Sequence, residues 1–187
     1  MEDISFIIGI IGNIISALLF LSPAKTFVRI VRNRSTEEFE SFPYVATLLS
    51  SSIWTYYGII KPGAILVSTV NGFGALVQLV YVSLFLFFAP PSKMATTAMF
   101  VGVVDVGCLG AILSISWFFL NVDMRITVIG LIGAALNIVM YGSPLAALVP
   151  NAIGFILGAV QLTVYAKYRT TSDDKQHNEP LIGSSIP

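Results

Sequence analysis

Residues 8–24, IGIIGNIISALLFLSPA, and residues 129–145, IGLIGAALNIVMYGSPL, are two versions of one pattern. Two glycines, a serine and a proline recur at a constant spacing of 121 residues: Gly9, Gly12, Ser22 and Pro23 in the first version, and Gly130, Gly133, Ser143 and Pro144 in the second. A shared spacing at four small or helix-breaking residues indicates an internal repeat, the signature of a fold built from copies of one unit.

The ends of the two copies are closer together than their beginnings. Residues 70–81, VNGFGALVQLVY, and residues 150–165, PNAIGFILGAVQLTVY, both place an asparagine three residues before a glycine, and here the spacing is 80. The second copy is therefore 41 residues shorter than the first, between Pro144 and Asn151. This gap predicts that the counterpart of the first loop and second span is absent.

Composition places the chain in a membrane. Hydrophobic residues make up 56% of its 187 residues and charged residues 11%, and the mean hydropathy is +0.86, whereas soluble domains carry about 25% charged residues. Lysine plus arginine equals aspartate plus glutamate at 10 each, so no basic excess favours nucleic acid. One cysteine and one histidine exclude a disulfide framework, a zinc cluster and a Cys/His catalytic pair within the chain. We expect no enzyme, no cofactor and no metal.

Six apolar runs approach the roughly 20 residues that a spanning helix needs, near 4–22, 43–60, 64–89, 95–120, 126–147 and 149–167. The sequence predicts an all-α membrane protein with a first three-helix repeat at 4–89, a linker helix at 95–120, a truncated second repeat at 126–167 and a disordered tail at 168–187. An odd linker keeps the repeats parallel, with about six spans where an intact chain would have seven. The first loop carries Lys25, Arg29, Arg32 and Arg34, which predicts that it is cytoplasmic and that the N-terminus lies on the opposite side.

The interiors of the runs contain amides and hydroxyls but a single charge, Asp105. Proton relays and ion coupling need ionisable groups in the membrane, so the pattern favours a neutral solute, and groups that both donate and accept suit a polyhydroxylated one. Asp105 lies in the linker, outside the repeats, and we do not assign it a role at this stage.

Asn71 and Asn151 occupy equivalent places in the two copies, which favours a shared site at the membrane midplane. The alternative is an interhelical hydrogen bond worth about 0.6 to 2 kcal/mol. Trp54 lies well inside its span, where its indole can pack against a pyranose or simply against neighbouring helices. Pro23 and Pro144 predict kinks that can serve as hinges, or plain helix ends, whereas Pro43 begins its span.

The chain resembles the SWEET family of bidirectional sugar facilitators over residues 4–168. The resemblance rests on a series of motifs in order: GNIISALLFLSPAKTF at 12–27, RSTEEFESFPY at 34–44, IWTYYG at 53–58, STVNGFGA at 68–75, MYGSPL at 140–145 and VPNAIGF at 149–155. The stretches around Trp54 and Asn71 look most like a plant subgroup of the vacuolar membrane that moves hexoses such as glucose and fructose.

The resemblance implies a role for each matching position. The sugar-binding residues would be Trp54, Asn71 and Asn151. Ser50, Leu19 and Met140 match pocket positions that are linked to the size of the substrate. Tyr57 matches an outer-gate tyrosine, and Pro23, Pro43 and Pro144 match three of four hinge prolines. The family has seven spans, and the missing stretch would hold the sixth, together with the fourth hinge proline, a second tryptophan and the acid that partners the gate tyrosine.

The first functional hypothesis is facilitative, bidirectional transport of neutral hexoses by alternating access, in the vacuolar membrane or alternatively the plasma membrane. The second is a transport-incompetent short form that acts as an interaction or dominant-negative subunit of full-length transporters. An amino-acid exporter of similar architecture is less favoured, because the spans lack charged groups. The implied partners are a small-molecule sugar, the lipid bilayer and other family members in a homo- or hetero-oligomer, with no nucleic acid.

Overall fold

The chain is α-helical throughout the part that the computed structural model describes, namely the backbone of residues 2–177 and the side chains of residues 4, 6–142 and 148–165. The helices are α1 (Glu2–Leu21), α2 (Ala24–Asn33), α3 (Phe42–Ile60), α4 (Ile65–Phe88), α5 (Pro91–Phe100), a π-helical segment (Val101–Cys108), α6 (Leu109–Phe119) and α7 (Val122–His177). We call Pro91–Phe119, which contains α5, the π-helical segment and α6, the linker helix. The predicted all-α fold is confirmed.

Five segments of the described chain are long and apolar enough to cross a bilayer: Phe6–Asn33, Ile65–Phe88, Pro91–Phe119, Val122–Gly142 and Leu148–Tyr165. The remaining predicted span, 43–60, forms α3 but is not among them. Polar residues such as the three consecutive serines at 50–52 lower its hydropathy. Ser50 and Ser51 are only 6% and 2% exposed. α3 therefore hides its polar groups among its neighbours, where lipid would leave them unsatisfied.

The chain divides into two compact units, Met1–Met140 and Tyr141–Pro187, and each is described by itself. The division falls inside α7, which contains both apolar runs of the predicted second repeat. α7 continues to His177, and the predicted bounds of the truncated second repeat and of the disordered tail stay predictions. Residues 178–187 of that predicted tail lie outside the described residues. Residues 141–150 contain Gly142, Pro144 and Pro150, residue types that favour a turn or a kink, and the helix nevertheless includes them.

α3 lies at the centre of the first unit. On one side Val45 and Leu48 pack with Val82 of α4, and on another Leu49 and Ile53 pack with Ile129 at the start of α7. Lipid tails are as apolar as these side chains, so close packing rather than the hydrophobic effect holds such helices together. α3 and α4 touch most closely at Gly58, where a Cβ atom would overlap the backbone of Ser68.

The break between α1 and α2 falls where the sequence predicts a kink. Pro23 cannot donate a backbone hydrogen bond, and the amide of Ser22 donates to the carbonyl of Leu19 over 3.1 Å in a tightened last turn. α2 then packs on α4, where the Phe27 and Tyr81 rings stack with centroids 4.2 Å apart. The sharp turn lets α2 cover one end of the bundle.

The loop between α2 and α3 is tied to the beginning of the linker helix. Lys93 Nζ donates hydrogen bonds to the carbonyls of Glu37 and Phe39, at 3.0 and 3.1 Å. Within the loop, the Glu37 carboxylate accepts hydrogen bonds from Arg29 and Asn33. The first loop and the α4–α5 connection thus lie at the same end of the bundle, as three alternating crossings require.

Arg125 closes the other end of the linker helix. Its Nε donates to the carbonyl of Ser116 over 3.0 Å, and its Nη2 donates to those of Trp117 and Leu120 over 3.2 and 3.1 Å. These carbonyls belong to the last turn of α6, where helical partners run out. One basic side chain satisfies all three and complements the negative end of the helix dipole.

Candidate functional site

Ser50, Trp54 and Tyr57 form one stripe along α3. Their spacing of four and three residues places them on one face of a helix, and that face is directed at the first turns of α7. We call these three residues the α3 stripe. The structure places all three on this face of α3, and their roles as pocket and gate residues stay predictions.

Ser50 joins α3 to α7 through a hydrogen bond. Its hydroxyl donates to Asn137 Oδ1 over 3.1 Å. The bond occupies one lone pair of the amide oxygen and uses neither donor of the Asn137 amide group. Asn137 therefore adds an uncharged donor beside the stripe.

Trp54 lies directly against Gly133. A Cβ atom at position 133 would be 2.9 Å from Cε2 and 3.2 Å from Nε1 of the indole. The indole N–H is buried and has no hydrogen-bond partner in the described structure. An unsatisfied buried donor costs about 1–3 kcal/mol, so this N–H is ready to bond an acceptor that enters the site.

Tyr57 continues the stripe toward the end of α3. Its ring is edge-on to Trp54 with centroids 5.3 Å apart, and a Cβ atom at Gly130 would be 3.0 Å from it. Lys61 Nζ donates to the Tyr57 hydroxyl over 2.7 Å. The two glycines that the repeat pattern singles out in the second copy are thus the places where α7 accommodates the aromatic rings of α3.

Asn71 is half-buried on α4, and its side chain is bonded to its own helix. Nδ2 donates to the carbonyl of Val67 over 2.9 Å, a bond that does not use the amide oxygen. The arrangement differs from that of Asn13, whose amide reaches from α1 to the Leu66 carbonyl at 3.0 Å and to Thr69 Oγ1 at 3.3 Å on α4. Asn13 thus makes an interhelical hydrogen bond of the kind considered for Asn71. The Nδ2 of Asn71 bonds within its own helix instead.

The remaining predicted site residues are Leu19, Met140, Asn151, Pro43 and Pro144, and their roles stay predictions. Leu19 is 65% exposed on α1, and Met140 is half-buried at the last position of the first unit. Asn151 is exposed and belongs to the second unit, so its predicted pairing with Asn71 stays a prediction. Pro43 begins α3, as predicted, and Pro144 lies where the structure describes no side chain.

Two residues that sequence reasoning did not place in the site are Asn137 and Lys61. Asn137 carries a weak signal, an amide inside an apolar run, and Lys61 lies one turn beyond the gate tyrosine. Among the described residues no group of three or more His, Cys, Asp or Glu side chains could hold a metal ion. The chemistry that the site offers is hydrogen bonding by uncharged groups beside an aromatic face.

This fold and site define a multi-pass membrane protein of the transporter class. Residues 6–93 match a family described as "Sugar efflux transporter for intercellular exchange". The chain is 44% identical to the bidirectional sugar transporter SWEET16 of Arabidopsis thaliana, with 97% of each chain covered, and 45% identical to Arabidopsis SWEET17, with 90% of this chain and 87% of the relative covered. The chain belongs to the SWEET family of sugar transporters, as the motifs predict.

A solved structure of a eukaryotic SWEET transporter has the same fold. The two superpose with a TM-score of 0.72 at 38% sequence identity, over 76% of this chain and 67% of the other.

The alignments also contain the predicted gap. The comparison with Arabidopsis SWEET16 runs over 224 positions, and since 97% of 187 residues is about 181, about 43 positions have no residue of this chain. The same reckoning for rice SWEET16, 41% identical over 211 positions and 91% of this chain, leaves about 41. Both values agree with the 41-residue stretch that the change in repeat spacing shows to be missing.

Proposed function

We propose that this chain is a facilitative transporter that passes neutral hexoses such as glucose or fructose across the vacuolar membrane by alternating access. The observation that carries the proposal is the α3 stripe, where a buried indole N–H without a partner in the described structure lies beside a serine and an amide, and where Lys61 bonds the Tyr57 hydroxyl. A sugar hydroxyl is an acceptor for this N–H and a donor to an amide oxygen, and the indole face suits the C–H face of a pyranose.

In this proposal Trp54 and Asn71 bind the sugar from the first repeat, and Asn151 binds it from the second. Ser50 shapes the pocket through its bond to Asn137, and Leu19 and Met140 bound its size. The Tyr57 hydroxyl, held by Lys61, closes one mouth. Pro23, Pro43 and Pro144 absorb the bending as the pocket opens to one side and then the other.

The α3 stripe also supports a uniport mechanism. Coupling to protons or ions requires ionisable groups along the path, and the side chains of the stripe are a serine, a tryptophan and a tyrosine, with Lys61 bonded to the tyrosine hydroxyl. The sugar would move down its own gradient in either direction. The vacuolar location is proposed from the likeness to SWEET16 and SWEET17.

The missing stretch of about 41 positions favours a second candidate function. Without its counterpart of α3, the second repeat lacks one wall of the pocket. The chain would then be a transport-incompetent subunit that pairs with full-length transporters and reduces their activity.

Uptake of radiolabelled glucose and fructose by transporter-deficient cells distinguishes the two functions. The chain is compared with a form in which the missing stretch is supplied from Arabidopsis SWEET16 after Leu148, and surface amounts are matched by biotinylation. Uptake by the chain itself supports the transporter. Uptake by the restored form alone, together with weaker uptake by Arabidopsis SWEET17 on co-expression, supports the subunit. Neither form taking up either hexose would contradict the choice of substrate.

A further inference from the structure

A cleft lies on the opposite side of α3 from the α3 stripe. It occupies about 440 Å³ between α3, α4 and the linker helix, and it is lined by Ser52 and Thr55 among others. Ser52 is two residues from both Ser50 and Trp54, a rotation of about 200° around a helix. The cleft therefore lies on a different face of α3 from the α3 stripe.

Asp105 of the linker helix lines this cleft with both carboxyl oxygens buried and without a hydrogen-bond partner in the described structure. An acid inside a span is costly and is by default a functional group. It lies in the π-helical segment Val101–Cys108, and such widened turns occur frequently at functional sites. The carboxyl group therefore calls for a partner that the described side chains do not supply.

Two hydroxyls near one end of the cleft are arranged as acceptors. Ser52 Oγ donates to the carbonyl of Leu48 over 2.8 Å, and Thr55 Oγ1 donates to that of Ser51 over 2.7 Å. Each hydroxyl donates its proton to a carbonyl of its own helix and keeps a lone pair that can accept a hydrogen bond. A guest hydroxyl has one proton and can donate it to one of these three acceptors. Asp105 is the acceptor that we assign, because both of its oxygens lack a partner in the described structure.

The rest of the lining is apolar. Leu76 and Leu79 of α4 and Leu109 and Leu113 of the linker helix form the wall. Gly72 has no side chain to occupy the cleft, and a Cβ atom there would meet Thr55 Cγ2 at 3.8 Å, an ordinary contact. A sugar would leave most of its hydroxyls unsatisfied against leucine, at a high cost. The lining fits a guest with one polar end and an apolar body.

We propose that this cleft binds a neutral lipid with a single hydroxyl group, the chemistry of a sterol. The hydroxyl bonds to the Asp105 carboxyl group, and the apolar body lies along the leucines of α4 and the linker helix. The site is reached from the bilayer and binds independently of the sugar.

Photocrosslinking of the full chain in membranes tests the proposal. The probe is a photoreactive, alkyne-tagged cholesterol, and labelled peptides are identified by mass spectrometry. We expect labels on residues 72–79 or 105–113, which excess ergosterol suppresses and excess glucose or phosphatidylcholine does not. Asp105→Leu should reduce labelling by about tenfold, the loss expected for one strong hydrogen bond, and Gly72→Leu should reduce it similarly by filling the cleft.

The matched control is Val106→Leu, a neighbour on the same π-helical segment that is 67% exposed and does not line the cleft. It should label like the unmodified chain. Asp105→Leu removes a charge from a span, which favours insertion, so its loss of labelling would not reflect failed folding. Labelling that persists in both cleft variants, falls equally in the control, or is suppressed by phosphatidylcholine or glucose would overturn the proposal.

Discussion

Gly133 determines where the Trp54 indole can lie. Alanine at this position would place its Cβ 2.9 Å from the ring, so the indole must shift. We expect Gly133→Ala to lower the free energy of unfolding by about 1–3 kcal/mol, as for other overpacked sites. Thermal denaturation in detergent measures this. Gly110→Ala is the control, because a Cβ there meets nothing within 4 Å and alanine favours a helix. Equal midpoints for the two variants would contradict the close contact.

Asn71 and Asn13 separate binding from helix association. In the form with the missing stretch restored, Asn71→Ala should abolish hexose uptake while the amount of protein in the membrane stays the same. Asn13→Ala should retain uptake and lose only about 0.6–1.7 kcal/mol of stability, the worth of an interhelical bond in a membrane. Uptake and thermal midpoints are measured on both variants. Uptake that survives the loss of Asn71 would remove it from the pocket.

Residue positions were predictable from the sequence where the spacing is local. The α3 stripe follows from helical periodicity once Trp54 is chosen. The bond between Ser50 and Asn137 joins residues 87 positions apart, and nothing in the local sequence of either residue indicates the other. Such partners depend on how α7 packs on α3, which periodicity does not determine.

At the level of elements, the α2–α3 loop depends on the charge of Glu37. Hydrogen bonds from Asn33 and Arg29 hold the pKa of this carboxyl below its ordinary value. The contribution of the Glu37 carboxylate to the stability of the folded loop is fully present above the ordinary carboxyl pKa. It is lost as the pH falls through the lowered pKa of the folded loop, because the carboxylate is then protonated.

Glu37→Gln should therefore imitate the acidic form at neutral pH. We expect faster amide hydrogen exchange in residues 34–41, and a thermal midpoint that depends less on pH through the acidic range than that of the unmodified chain. Glu38→Gln, an exposed neighbour, is the control. If the two variants exchange alike, the Glu37 carboxylate does not hold the loop.

The elements differ in how far the sequence predicts them. The break at Pro23 is predictable because proline removes a backbone donor. The π-helical segment is not, since VGVVDVGC reads as an ordinary apolar run. The predicted separation of α7 near residue 148 relies on apolar run lengths and on Pro144 and Pro150, and a single helix spans these residues all the same.

For the whole molecule, the contact of Lys93 with the α2–α3 loop predicts which ends share a side of the membrane. In a Cys108→Ala background, Arg34→Cys should react with an impermeant thiol reagent from the cytosolic side only. Val122→Cys, 60% exposed between the linker helix and α7, should react from the opposite side only. Labelling of intact and permeabilised vesicles measures this, and reaction of both from one side would contradict the topology.

Family membership and the missing stretch were predictable because repeats and their spacing survive in sequence. The placement of Asn71 relative to Asn151 was not, because it depends on the second repeat, whose counterpart of α3 is missing. The proposed lipid cleft could not be predicted from the sequence either, because it forms only when α3 and α4 pack beside Asp105.

The engagement of Arg125 with three carbonyls gives the bundle an electrical polarity. At that end of the bundle Arg125 bonds the end of α6 and Lys61 bonds a tyrosine. At the opposite end Lys25, Arg32 and Arg34 are exposed. During biosynthesis the end with exposed cations is the one retained on the ribosome side. The four basic residues of the α2–α3 end outnumber Arg125 and Lys61 at the other end, and this difference favours one orientation of the protein in the membrane.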